Sequence, residues 1–141
     1  HASIMHNVML GANAGSSTIF HSSEVKKKAY LAIERMGLTD KILQPVRKLS
    51  GGQQRRVATA RTLAQEPKLI LADEFLSELD EETMEMVIKE VLEYVRKSGA
   101  ALIVVEHDIA RARSMADRLL VIDDGRINPF IREITAMEIK V

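Results

Sequence analysis

KLILAD, from Lys68 to Asp73, is a short aliphatic run that stops on an aspartate, and it opens a new rhythm in the chain. ALIVVEHD (Ala101 to Asp108) and RLLVID (Arg118 to Asp123) repeat the pattern, with helical stretches at Glu81 to Lys97 and Ile109 to Ala116 between them. Unbroken aliphatic runs alternating with helices are what a parallel sheet covered on both faces requires, so an α/β second half is expected. N-terminal to Pro67 the pattern is helical. SSEVKKKAYLAIERMG (Ser22 to Gly37) offers a serine N-cap, apolar positions Val25, Ala29, Leu31, Ala32, Ile33 and Met36, and Gly37 as a stop. A second helix is expected from about Gly51 to Ala64. The first twenty residues are weakly patterned, and GANAGSST (Gly11 to Thr18) reads as a loop. The expected division is a helical part, 1–66, and a sheet-bearing part, 67–141.

Composition narrows the chemistry. The chain has 141 residues, 46% of them hydrophobic, enough for one compact domain with a core but short for two. Twenty basic and twenty acidic side chains cancel, so no long-range field draws the molecule to nucleic acid or an anionic membrane, and any anion must be caught locally. Zero cysteines exclude disulfides, thiolate metal sites and thiol catalysis, and they fit a reducing compartment. No apolar run approaches the roughly 20 residues that span a bilayer, and no leader is visible, so a soluble chain is expected.

In doubly wound sheets ligands collect at the carboxyl ends of the strands. Asp73 and Glu74 end the first run, and Glu106, His107 and Asp108 end the second. An aspartate at a strand tip can hold a magnesium ion, a following glutamate can polarise a water, and a histidine from a neighbouring tip can reach a terminal phosphate. Asp73 and Glu74 capping the next turn, and His107 as an ordinary loop residue, are the plainer alternatives. A third polar cluster lies at the expected helix start in RKLSGGQQRR (Arg47 to Arg56). A helix beginning near Gly51 leaves its first N–H groups without partners and carries about half a positive charge there. Ser50 adds a hydroxyl, and Gly51 and Gly52 have no side chain to keep an anion from the backbone, which makes a phosphate seat. A serine-capped helix start without a ligand is the alternative.

LSGGQ (Leu49 to Gln53), LILADE (Leu69 to Glu74), SELD (Ser77 to Asp80) and VVEHD (Val104 to Asp108) resemble the signature motif, Walker B, D-loop and switch histidine of an ABC-type ATPase, in that order and at near-family spacings. ASIMHNVMLG at the start resembles the segment after the Q-loop, and DRLLVIDDGRI (Asp117 to Ile127) the closing strand and hairpin. The chain is most similar in feel to transporter ATPases of the lipoprotein-release, macrolide-export or phosphonate-uptake kind. The resemblance implies the C-terminal part of a P-loop NTPase-type cassette, a mainly parallel sheet with flanking helices and an N-terminal helical lobe. It implies ATP and Mg²⁺, with Asp73 on the metal, Glu74 as general base and His107 on the γ-phosphate. Ser50, Gly51, Gly52 and Gln53 would serve the nucleotide held by the opposite subunit of a head-to-tail dimer, and Asp80 and Ser77 would cross that interface. The implied partners are a second ATPase subunit or a second copy and a membrane-spanning transporter subunit, with no direct nucleic acid. The implied place is cytoplasmic, at the inner face of the cell membrane.

Departures from the family pattern are as informative. A Walker A loop needs Gly-x-x-x-x-Gly-Lys-Ser/Thr, and none of the seven glycines is followed by lysine. The four glutamines, Gln44, Gln53, Gln54 and Gln65, lie away from a Q-loop position. Weak ATP binding by this chain alone is therefore expected. Phe75 and Leu76 stand where the family usually has proline and threonine, and Glu78 replaces a small residue, adding negative charge near Asp80. Arg55, Arg56 and Arg61 read as surface and lobe-fixing charges, Lys26 to Lys28 as a solvated helix face, and Val87, Val91 and Val95 as core. Met84 and Met86 cannot share a helical face, and the four histidines are too scattered for a metal site.

Two other classes remain open from sequence. A chromosome-maintenance or repair ATPase also pairs a signature serine and glycine with Walker B, but the short helix bounded by Gly37 and the neutral charge argue against it. A non-catalytic module that pairs with an intact cassette or with itself is the other. Unpaired strand edges would favour homo-oligomers in isolation.

Overall fold

The computed structural model describes residues 2–14 and 22–127. Half of GANAGSST, residues 15–18, and the whole of the C-terminal NPFIREITAMEIKV lie outside them. Five α-helices and four strands follow in order among the described residues: α1 (Ile4–Ala12), α2 (Ser23–Arg35), α3 (Gly51–Ala64), β1 (Leu69–Asp73), α4 (Glu81–Ser98), β2 (Ala101–Val105), α5 (Ile109–Met115), β3 (Ile122–Asp123) and β4 (Arg126–Ile127), with two 3-10 turns between α2 and α3. The chain forms two compact units, His1–Ile103 and Val104–Val141.

In the first unit α1, α2 and α3 pack on one another. Ile4, Val8 and Met9 of α1 are buried with Ala29, Ala32 and Ile33 of α2 and Val57, Ala60, Leu63 and Ala64 of α3. Each large aliphatic side chain fully withdrawn from water contributes about 1.5–3 kcal/mol, and Ile4, Ile33, Met36 and Leu38 are among the largest so placed here. The expectation of a weakly patterned N-terminal stretch is corrected: Ile4–Ala12 is a helix. Ser3 starts it by accepting the N–H of His6 at 3.2 Å, and the backbone of residues 2–5 bonds to Ile42, Gln44 and Val46. Gly11, expected in a loop, is buried in the last turn of α1 against Arg61 of α3.

α2 begins and ends where its sequence says. Ser22 Oγ accepts the N–H of Val25 at 3.2 Å, and beyond Met36 the chain leaves the helix through Gly37 at φ +62°. Leu31 is exposed, whereas Met36 is fully buried. The lysine run is not wholly solvated, since Lys28 Nζ reaches Glu66 at 2.8 Å and Glu24 at 3.6 Å, tying α2 to the residue beyond α3. Arg56 is a true lobe-fixing residue: its Nη1 donates to the Met36 carbonyl at 3.0 Å and lies 3.5 Å from that of Gly37. Arg56→Met keeps the apolar stem but strips these acceptors of their donor. A loss of about 1–3 kcal/mol in urea unfolding is expected, with Arg56→Lys intermediate.

β1 and β2 form a two-stranded sheet, with α4 as their connection. The Ala101 N–H donates to the Lys68 carbonyl at 2.9 Å, and the Tyr94 hydroxyl of α4 donates to that of Pro67 at 2.8 Å. Val87 and Val91 are the buried residues of α4, while Val95, Met84 and Met86 are half-buried. The sheet was expected to be covered on both faces. Ile70 is buried, but Leu69 and Leu71 remain 51% and 72% exposed and Ile103 57% exposed. One apolar face of this α/β unit is thus bare among the described residues.

The third aliphatic run was expected as a third parallel strand. Its Ile122 and Asp123 instead pair antiparallel with Ile127 and Arg126. The reason is local: Asp124 and Gly125 both adopt positive φ, +46° and +70°, the conformation of a two-residue Asp-Gly hairpin turn. The hairpin read from DRLLVIDDGRI is present.

Candidate functional site

The signature stretch makes a capping box. Ser50 Oγ accepts the N–H of Gln53 at 3.3 Å, and Gln53 Oε1 accepts the N–H of Ser50 at 3.1 Å. Gln54 Nε2 donates to the Leu49 carbonyl at 3.0 Å while Leu49 itself is buried, so the turn entering α3 is held from both sides. The box leaves the amides of Gly51 and Gly52 at the helix start, without intrahelical carbonyl partners. Ser50 and Gly51 are exposed, and Gly52 and Gln53 half-buried.

The stretch after Walker B lies against these glycines. A Cβ on Gly51 would collide with the Glu78 carboxylate, and one on Gly52 would stand 2.8 Å from the Glu78 carbonyl oxygen and 3.3 Å from Leu79 Cδ2. Glycine is required at 52 because the obstacle is backbone. Sequence reasoning placed the two motifs separately and missed this contact, for which no pattern in either stretch is a signal.

Asp73 ends β1, exposed, and Glu74 follows at φ +44°, also exposed. The Ser77 N–H donates to the Glu74 carbonyl at 3.0 Å, closing the turn. Leu76, in place of the threonine usual to the family, is 1% exposed, so this departure exchanges a hydroxyl for core packing. Ser77 turns its hydroxyl inward, buried without a hydrogen-bond partner among the described residues. Glu78, at φ +65°, makes no ion pair to a described basic side chain.

Asp80 is the N-cap of α4. Its Oδ1 accepts the N–H of Thr83 at 2.9 Å and its Oδ2 the Thr83 hydroxyl at 2.8 Å. The Thr83 amide, then its hydroxyl, hold the carboxyl below its ordinary 3.8. Because the folded value is the lower one, this cap contributes fully above the ordinary value and is lost as pH falls through the folded one. The Thr83 amide resonance should therefore titrate below pH 3.8, and Asp80→Asn should abolish that titration. An unchanged amide resonance down to the acid unfolding transition would refute the cap's role.

A cleft of about 180 Å³ runs between α3 and β1, lined among others by Arg55, Thr59, Thr62, Leu71, Asp73 and Phe75. Sites that enclose a small-molecule ligand run to about 300–1,000 Å³, so this cleft is too small to enclose a nucleotide. No group of three or more His, Cys, Asp or Glu able to hold a metal occurs among the described residues. Mg²⁺, however, takes one or two carboxylates and fills its other positions with waters and phosphate oxygens. Exposed Asp73 fits that demand.

The second unit carries His107, exposed between β2 and α5. Glu106 Oε1 accepts the N–H groups of His107 at 2.9 Å and Asp108 at 3.1 Å. Asp108 caps α5 through the N–H of Arg111 at 3.1 Å.

The family model described as ABC transporter matches residues 2–77, more than half of the chain. The chain belongs to the ABC transporter family. It is 39% identical over 125 residues to the lipoprotein-releasing system ATP-binding protein LolD of Zymomonas mobilis, covering 89% of this chain and 52% of that protein. It is 44% identical over 104 residues to the glutamine transport ATP-binding protein GlnQ of Geobacillus stearothermophilus, covering 74% and 43%. The phosphonates import ATP-binding protein PhnC 1 of Nostoc is 37% identical over 129 residues, covering 88% and 49%. Among solved structures, a bacterial ABC transporter cassette in dimeric form superposes with a TM-score of 0.83 at 31% identity, over 96% of this chain and 57% of that one. The same kind of cassette bound to ADP and Pi superposes at 0.82, also at 31% identity, over 95% and 56%. The ABC chain described here spans about half the length of the curated relatives it matches. Its fold is the α/β fold of these cassettes, and no helix among the described residues is long and apolar enough to cross a membrane.

Proposed function

We propose that this chain supplies the signature, Walker B, D-loop and switch-histidine portion of an ATP-hydrolysing cassette that drives a membrane transporter. The observation that carries the reading is the pairing of an acidic strand tip, Asp73 and Glu74, with the exposed, box-capped start of α3, in one compact unit whose Glu78 touches Gly51. In this reading residues 1–66 are the helical subdomain and 67–141 belong to the ATPase core. Asp73 would hold Mg²⁺, which when bound screens the phosphate charge. Glu74 takes a proton from the attacking water, and His107 reaches the γ-phosphate. Gly51 and Gly52 present backbone amides to the nucleotide of the opposite subunit, flanked by the side chains of Ser50 and Gln53, and Asp80 lies at that interface while capping α4. The partners are a second ATPase subunit or a second copy, and a membrane-spanning subunit that holds the chain at the inner face of the cell membrane.

The bare face of Leu69, Leu71 and Ile103 and the small cleft support a role within a larger cassette. Calorimetry of Mg-ATP on the purified chain tests this: weak binding is expected, and tight stoichiometric capture would contradict it. A second reading, a non-catalytic module pairing with an intact cassette, draws support from the Glu78 carboxylate in front of Gly51. Turnover lost on Glu74→Gln decides between them.

A further inference from the structure

Glu106 is the least expected group in the second unit. Its side chain is only 9% exposed, although it carries a charge. Burying a carboxylate is costly unless its oxygens are well paired. Here one oxygen, Oε1, takes the His107 and Asp108 amides at 2.9 and 3.1 Å and the Arg111 guanidinium at 3.2 Å. The start of α5 does not need this arrangement, because Asp108 already accepts the N–H of Arg111. The Asp108 carboxylate also approaches Arg111 Nη2, at 3.7 Å. Both flanks of His107 are thereby tied to one arginine, a turn further along the chain, while the imidazole itself stays exposed.

Capping alone would be served by an uncharged acceptor at 106, which would accept the two amides without the cost of burying a charge. What the carboxylate adds is the grip on Arg111, which couples the strand end to the helix across the histidine. We propose that Glu106 and Arg111 act as a positioning pair that clamps the backbone of His107 and so aims its imidazole at the terminal phosphate. The clamp rests on the functional reading given above for His107. Neither residue touches the nucleotide in this scheme. Burial, the largest single influence on the Glu106 carboxyl, pushes it up, but the Asp108 amide, the Arg111 guanidinium and the His107 amide outweigh it and hold it below its ordinary value. The carboxylate is thus charged throughout the neutral range, as the clamp requires.

Two measurements test the proposal. The first is amide hydrogen exchange on the chain itself: Glu106→Ala should speed exchange at His107 and Asp108 by at least about tenfold and leave the Ala60 amide of α3 unchanged, while Glu106→Gln, which keeps an acceptor for the two amides but loses the charged grip on Arg111, falls between the two. Equal exchange in wild type and Glu106→Ala overturns the clamp. The second is steady-state ATP turnover once the chain is joined to a segment bearing a phosphate-binding loop. Glu106→Ala should lower kcat by about 10- to 100-fold with KM for ATP unchanged, and Glu106→Gln, which keeps the amide contacts but not the ion pair, should recover only part of it. A rise in KM alone, or turnover unaffected by Glu106→Ala in an ATPase that His107→Ala disables, overturns the positioning role. An ATPase indifferent to His107→Ala overturns the functional reading and the aiming role together, and the exchange result still decides whether the clamp exists.

Discussion

In the proposed cassette, Glu74→Gln is expected to lower kcat for ATP hydrolysis by about 10²–10⁴-fold, the range that general-base groups contribute, with little change in KM for ATP. Glu74 sits one residue past the end of β1, exposed, in the left-handed conformation at φ +44°, with its carbonyl tied to the Ser77 N–H. The turn is held by backbone contacts that glutamine preserves. Glutamine is nearly isosteric and cannot take a proton from water, so the variant separates chemistry from folding. Matching unfolding curves for the two proteins would establish that separation. Turnover within about threefold of wild type would remove Glu74 from the role of base and favour the non-catalytic module.

Gly11→Ala is expected to destabilise the chain by about 1–3 kcal/mol or more, the usual cost of overpacking a tight interface. The sign is what makes the prediction sharp. In an exposed helix interior the same substitution stabilises by close to 1 kcal/mol, because alanine loses less backbone freedom than glycine. Gly11 is instead buried where α1 crosses α3: a Cβ there would overlap the Arg61 carbonyl oxygen and stand 2.8 Å from Arg61 Cγ. The Arg61 side chain can swing away, but its carbonyl belongs to the α3 backbone and cannot. Urea unfolding of wild type and Gly11→Ala decides the matter, and a stabilised variant would mean that the crossing is looser than described.

Those two positions show unequal legibility. The place of Glu74 was readable because the strand and its acidic tip adjoin in the sequence. Gly11 was not, since GANAGSST has the composition of a loop and the residue that makes its glycine necessary, Arg61, is fifty positions away. The helix over Ile4–Ala12 was missed for the same reason. Only its contacts with α2 and α3 turn Ile4, Val8, Met9 and Gly11 into a buried face. RLLVID was misjudged in the other direction: its aliphatic run suggested a third strand of the parallel sheet, but Ile122 and Asp123 pair antiparallel across the Asp-Gly turn behind them. Leu76 and Glu78 were visible as departures, yet their consequences, burial for one and contact with Gly51 for the other, depend on neighbours that sequence does not place.

What the sequence determined alone is everything set by near neighbours: the serine caps of α2 and α3, the Gly37 stop, the α/β alternation and the order of the four motifs. Caps and periodicities act over three or four residues, so a linear string contains both partners. The tertiary structure decided what required distant partners. It brought Glu78 onto the start of α3, Arg56 onto the end of α2 and Gly11 onto Arg61, and it left Leu69 and Leu71 uncovered. Close packing and the pairing of buried polar groups depend on which surfaces meet, and that is known only once the helices have docked.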